Sequence, residues 1–182
     1  MEKMKTASTW KTALNLQWNQ LIAEINTSPR IAIVGIGNPY RSDDAAGILI
    51  ARELSQREFA ADREHFLICE AGHAPENVTG GLRKFAPSLV LLIDAAEMDK
   101  EPGTVEWIRE EDIDGMSAST HSLPLSMLAL YLRMELNCKV SLLGIQPKSN
   151  EVGEAVSGEV LQAVNEVVIG LDEVLSMSGL VR

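Results

Sequence analysis

Two carboxylates stand side by side in GIGNPYRSDDAAG (residues 35–47), between the apolar run IAIV and the apolar stretch ILIARELS. A third acid, Asp94, closes the run SLVLLID, and His121 sits in STHSLPL. One of the paired acids has an ordinary occupation, because Asp43 or Asp44 at a helix start accepts hydrogen bonds from the free N–H groups of the first turn and stabilises it by roughly 1 kcal/mol. One acid suffices for that, which leaves the other to point into a crevice. Asp44, Asp94 and His121 brought together would make a hard, oxygen-rich site for a divalent transition metal, with positions open to substrate or water. Asp94 asks most strongly for a partner, since an acid at the end of a continuous apolar strand costs burial energy without a hydrogen bond, a charge or a metal. His121 taken alone reads equally well as the start of the next helix.

Other candidates weigh less. His73 in EAGHAPEN ends another strand, but Gly72 and Pro75 make loop shape the main constraint there. His65 precedes its strand and belongs to the opposite end of the sheet. Ser122 is the direct neighbour of His121, an adjacency that rarely gives triad geometry, and no G-x-S-x-G elbow occurs. Cys69 and Cys138 lie in or beside apolar strand-like segments and read as buried reduced thiols rather than as nucleophiles or a disulfide. Gly35 and Gly37 begin a dinucleotide-type turn, yet Tyr40 replaces its third glycine, and two acids oppose a phosphate at the helix N-terminus. No nucleotide is expected.

The elements that must position these residues alternate along the chain. IAIVGI, HFLICE, SLVLLID and KVSLLGI read as strands, with helices predicted from about Asp44 to Arg57, Asn77 to Phe85, Leu125 to Leu136 and Ser157 to Ser176. Continuous apolar strands bracketed by helices predict a three-layer, doubly wound α/β domain with a mostly parallel sheet of about five strands. TVEWIRE follows a Pro-Gly turn, alternates more clearly, and belongs on a sheet edge as an antiparallel strand. In such folds ligands bind beyond the carboxyl ends of the strands, where GNPYRSDD, EAGHAPEN and DAAEMD lie, with STHSLPL on the approach to the next helix. Ahead of this pattern, Trp10, Leu14, Trp18, Leu21, Ile22 and Ile25 share one face of an amphipathic helix that Pro29 ends. The division expected is a helical extension over residues 1–29 and an α/β domain over 30–182.

The 182 residues carry a net charge of −10 and are 46% hydrophobic, and no apolar run approaches the length of a membrane span. A protein that grips phosphate backbones shows a basic face, so nucleic acid is not an expected partner. No secretory leader is evident in MEKMKTASTWKTALNLQWNQ, and a cytoplasmic monomer without membrane insertion is the expectation.

GIGNPYRSDDAAG, LLIDAAEMD, STHSLPL and LLGIQP, in this order and spacing, resemble the hydrogenase maturation endopeptidases, and GHAPEN and THSLPL resemble the branch serving the formate-hydrogenlyase type of hydrogenase. The resemblance runs from Ile31 to the C-terminal helix. It implies a protease that removes the C-terminal extension from the precursor of a nickel-iron hydrogenase large subunit after nickel insertion, with the nickel supplied by that substrate. It also implies Asp44, Asp94 and His121 as the metal-engaging and catalytic residues, with Asn38, Asp43 and His73 in supporting or substrate-binding roles. The chain departs from the family's D-D-G-x-G by carrying Ala45 after the acids. If that glycine serves close approach of the substrate backbone, Ala45 tightens the site; if it only begins a helix, alanine is favourable. IVGIGNP also resembles the opening of peptidyl-tRNA hydrolases, but YRSDDAAG lacks the histidine expected next; a nickel-binding chaperone would use the same three ligands without cleavage, and an α/β binding domain would use the acids only as caps.

Overall fold

The computed structural model describes residues 9–24, 28–113 and 124–176. Five strands form one sheet in the order β2-β1-β3-β5-β4: β1 is Ile31–Ile36, β2 Phe66–Gly72, β3 Leu89–Ala95, β4 Val105–Arg109 and β5 Lys139–Ile145. The first four in that order run parallel, and β4 lies antiparallel on the edge, as its alternation and Pro-Gly turn predict. The three central strands are continuous apolar runs because helices cover both faces. Strand alternation then sorts their residues. Ile31, Ile33, Leu89, Leu91, Ile93, Leu143 and Ile145 meet α1 (Thr9–Glu24), α2 (Ala46–Leu54) and α5 (Gly158–Ser176). Ala32, Val34, Ile36, Val90, Leu92, Val140 and Leu142 meet α3 (Thr79–Phe85) and α4 (Leu125–Leu136).

The strand order fixes where a ligand can sit. The chain leaves β1 through α2 on one face to reach β2, then returns through α3 on the other face to reach β3 on the far side of β1. The connections therefore diverge between β1 and β3, and a crevice opens beyond the carboxyl ends of these two strands.

Two predicted helices begin differently. The segment assigned to a helix from Asp44 opens as a 3-10 turn, Ser42–Ala45, before α2 starts at Ala46. Ser42, at the head of that turn, has φ +39°, a left-handed conformation that sets the turn off from the preceding chain. The segment near Asn77 likewise opens as a 3-10 turn, Pro75–Val78, with proline at its first position, and continues as α3.

The N-terminal helix packs onto the sheet beside α5. Trp10, Leu14, Trp18 and Leu21 are buried in the same core as α2 and α5, and Trp10 lies against Gly170. Ile22, assigned to the buried face, is 44% exposed; it stands one residue past Leu21, about 100° further round the helix, and falls off the stripe. Ile25 lies outside the described residues. Polar ties finish the seam: Ser141 Oγ donates to Gln17 Oε1 at 2.9 Å, and Lys139 and Lys11 pair with Glu24 and Glu173.

Candidate active site at the strand ends

The turn that carries the paired acids is pressed onto the strands by small residues. A Cβ on Gly47, in the first turn of α2, would stand 2.2 Å from Ile93 O and 2.4 Å from Ile36 O, so this glycine lets the helix rest directly on the ends of β1 and β3. Gly37, just past β1, has φ +130°, and a Cβ there would overlap Asp44 O at 1.7 Å. The chain thus folds back so that Asn38 N–H, after β1, reaches both the backbone carbonyl of Asp44 at 3.2 Å and its carboxylate Oδ2 at 2.9 Å. Asn38 Oδ1 in turn accepts from Tyr40 N–H at 3.0 Å, closing an Asx turn. Asp44 is 1% exposed. Ala45 has φ −74° and ψ −11°, an ordinary helical conformation, so the position after the acids makes no backbone demand for glycine.

Asp43 is fully buried and does a different job from the helix capping that its position suggests. Its Oδ2 accepts from Lys148 N–H at 2.7 Å, Ser149 N–H at 3.1 Å and Ser157 Oγ–H at 3.0 Å, and its Oδ1 accepts from Ser157 N–H at 2.7 Å. All four donors belong to the loop between β5 and α5. The same loop is laced to the turn by Ser42 Oγ donating to Ala155 O, Arg41 Nε to Asn150 O, and Gly153 N–H to Tyr40 O. Four hydrogen bonds, two of them from adjacent backbone amides, offset the cost of burying this carboxylate and tie the loop to the turn. The sequence pattern showed two acids; the loop that Asp43 grips, more than a hundred residues away, left no local signal.

Asp94 is the sixth residue of β3, pairs in register with Gly144 of β5, and is 1% exposed. It continues the parity of Val90 and Leu92, which face α3 and α4. β3 is paired to β1 as far as Gly35 and Ile93, so Asp94 stands one step beyond that pairing, beside the strand whose following turn presents Asp44. Asp94 thus ends β3, and Asp44 lies in the turn that follows the adjacent β1. His121 lies outside the described residues; in sequence it stands four residues before α4, the helix that packs on the face Asp94 points to. Among the described residues no three His, Cys, Asp or Glu side chains form a group able to hold a metal. His73 is exposed in the loop after β2, on the far side of β1 from Asp94.

The remaining candidates fall away on chemistry. His65 pairs with Asp62 at 2.8 Å before β2, at the amino ends of the strands. Cys69 and Cys138 are free thiols; burial pushes both pKa values up, that of Cys138 to about 11, which disfavours the nucleophilic thiolate. A cavity of about 410 Å³ between α1 and β4, lined by Gln17, Trp107, Lys139 and Ser141, opens at the amino end of β5, away from the acids.

The chain and its fold have counterparts among known proteins. The family model described as HycI, hydrogenase maturation protease, matches residues 48–173. The chain belongs to the hydrogenase maturation protease family. The hydrogenase 3 maturation protease of Escherichia coli K12 is 34% identical over 113 residues, covering 62% of this chain and 69% of that one. A Methanocaldococcus jannaschii protein, named as a candidate member of the same protease family, is 38% identical over 133 residues, 70% of this chain and 78% of its own. The crystal structure of the [NiFe] hydrogenase maturation protease HycI from Thermococcus kodakarensis superposes with a TM-score of 0.74 at 31% identity, covering 83% of this chain and 95% of that one. The hydrogenase maturation protease described here is accordingly a peptidase, and its five-stranded α/β fold is the one seen in that structure.

Proposed function

We propose that this protease removes the C-terminal extension from the precursor of a nickel-iron hydrogenase large subunit, and that the nickel it meets is carried by that precursor. What supports the reading is that two buried carboxylates, Asp94 at the end of β3 and Asp44 in the turn after the adjacent β1, occur in a chain of this family. Two carboxylates suit a divalent transition metal through their hard oxygen donors, and His121 would add an imidazole from the loop ahead of α4. The nickel, held at the same time by the precursor, would align the peptide to be cut; when bound it offers Lewis-acid polarisation of a carbonyl.

The protein's own residues would do the rest. Gly37, Gly47 and Asn38 hold Asp44 at the crevice, Asp43 fixes the turn from behind, and the exposed His73 borders the strand ends where an extended substrate segment lies. Hydrolysis adds water across one peptide bond, leaving a new carboxylate on the mature subunit and a free amine on the released fragment. Residues 1–29 are assigned to an extension on a processing core of residues 30–182, with the first helix packed on that core through Trp10, Leu14, Trp18 and Leu21. The protease is proposed to act in the cytoplasm as a monomer; no helix of the described residues is long and apolar enough to cross a membrane.

The test is to mix the purified protein with nickel-loaded and nickel-free precursor and to follow intact mass. Loss of a single C-terminal fragment only from the loaded sample is the expected result. Tight binding of free nickel without cleavage of a precursor confirmed as loaded would replace a protease with a nickel-binding chaperone.

A further inference from the structure

Gln146, the residue after β5, is 4% exposed, and its side chain is fully engaged. Oε1 accepts from Met98 N–H at 2.8 Å and Lys100 N–H at 3.2 Å, while Nε2 donates to Glu97 Oε1 at 2.7 Å and to Pro147 O at 3.1 Å. Its backbone is tied as well, donating to Thr104 O and accepting from Gly103 N–H. A primary amide supplies two acceptor directions and two donors together, and the oxygen faces only donors while the nitrogen faces only acceptors, so the amide has one consistent orientation. Asp99 within this loop has φ +53°, a conformation held by the ties on either side of it.

What this network holds in place is Glu97. It follows Asp94 by three residues on the loop leaving β3, and it remains exposed although one carboxylate oxygen is fixed by a buried amide. An amide donor orients a carboxylate without neutralising it, and among the described residues no cation pairs with Glu97. A merely structural tie needs no charge here, since Gln146 Nε2 would donate equally well to a neutral carbonyl. In a chain of net charge −10, one more fixed negative charge at the carboxyl ends of the strands costs self-repulsion.

We propose that Glu97 is a specificity-determining contact that binds a lysine or arginine side chain of the precursor as it lies along the strand ends, and that Gln146 is its positioning residue. The inference rests on the processing reading of the crevice. Binding a cation through an oriented carboxylate favours substrates that carry positive charge near the cut and rejects those with an acid there.

Steady-state cleavage of the loaded precursor at low and high salt tests this, with thermal unfolding measured on the same variants. Glu97→Gln is expected to raise KM about five- to tenfold at low salt, with a much smaller change in kcat, and to flatten the salt dependence of KM. Gln146→Glu sets two carboxylates against each other and is expected to lower Tm as well as raise KM. The double variant E97Q/Q146E exchanges donor and acceptor, so Tm should return towards the wild-type value while KM stays high. An unchanged KM for E97Q, or a double variant that regains KM together with Tm, would reduce the pair to a loop tie. A wild-type protein that does not cleave loaded precursor overturns the processing reading and this inference with it. Wild-type cleavage with an indifferent E97Q overturns the inference alone.

Discussion

At the scale of single residues, the acids of the crevice and the acid behind them separate cleanly by what they touch. Asp44→Asn and Asp94→Asn keep side-chain shape but remove the charge, and each is expected to reduce processing by about 10²–10³-fold, the size of effect seen when one electrostatic partner of a reacting centre is lost. Circular dichroism and Tm should stay near the wild-type values, and His121→Ala belongs to the same series. Full activity in any of the three variants would take that residue out of the site. The thiols give a pH-dependent control. Burial raises the Cys138 pKa to about 11, so at pH 8 only about one thiol in a thousand is thiolate, and native protein should resist alkylation there until it is unfolded. With the folded pKa above the unfolded one, any stability linked to this thiol is present at neutral pH and is lost as pH rises through about 11. Cys69, expected buried, is only half-buried, whereas the burial of Asp94 at a strand end and of Cys138 in its apolar context was legible in the sequence. Ser42, left-handed at φ +39° just ahead of Asp43, was not, because serine gives no warning of a strained turn whose stabilising partners lie at Ala155 and beyond.

At the scale of elements, the site depends on the grip of one loop on another. Asp43→Ala would leave the amides of Lys148, Ser149 and Ser157 without their acceptor, and a loss of about 3 kcal/mol follows from several stranded buried donors. For a protein of this size that corresponds to a fall in Tm of about 6–12 °C. Asp43→Asn keeps one acceptor oxygen and should fall between the wild type and the alanine variant. If Asp43→Ala melts like the wild type, the loop is not held by this carboxylate. Strands and most helices were readable as apolar runs and helical stripes, and β4 was placed on the edge correctly from its Pro-Gly turn. The starts of α4 and α5 are readable too, but those of α2 and α3 are not, since the 3-10 turns at Ser42 and Pro75 are set by how the chain closes over β1 and β2 rather than by local propensity. Gln146 escaped notice for the same reason: a glutamine after a strand is unremarkable until the amides of Met98 and Lys100 converge on it.

At the scale of the whole molecule, α1 belongs energetically with the core even though it precedes the alternating pattern. Trp10 is 2% exposed among α5 residues, so Trp10→Ala should cost about 3 kcal/mol or more and lower Tm by about 6–12 °C without changing KM for the precursor. A raised KM with intact Tm would instead make this helix part of substrate recognition. The seating of α1 against α5 also has a bearing on how the chain is made. Lys11 pairs with Glu173, a partner 162 positions later, and 133 residues lie between the end of α1 and the start of α5. At translation rates of roughly 5–20 residues per second, the tryptophans of α1 wait on the order of 10–30 seconds beside the ribosome before the surface that covers them exists. The first helix to be synthesised is thus among the last to be buried, and during that interval its apolar stripe is bait for chaperones and for neighbouring nascent chains.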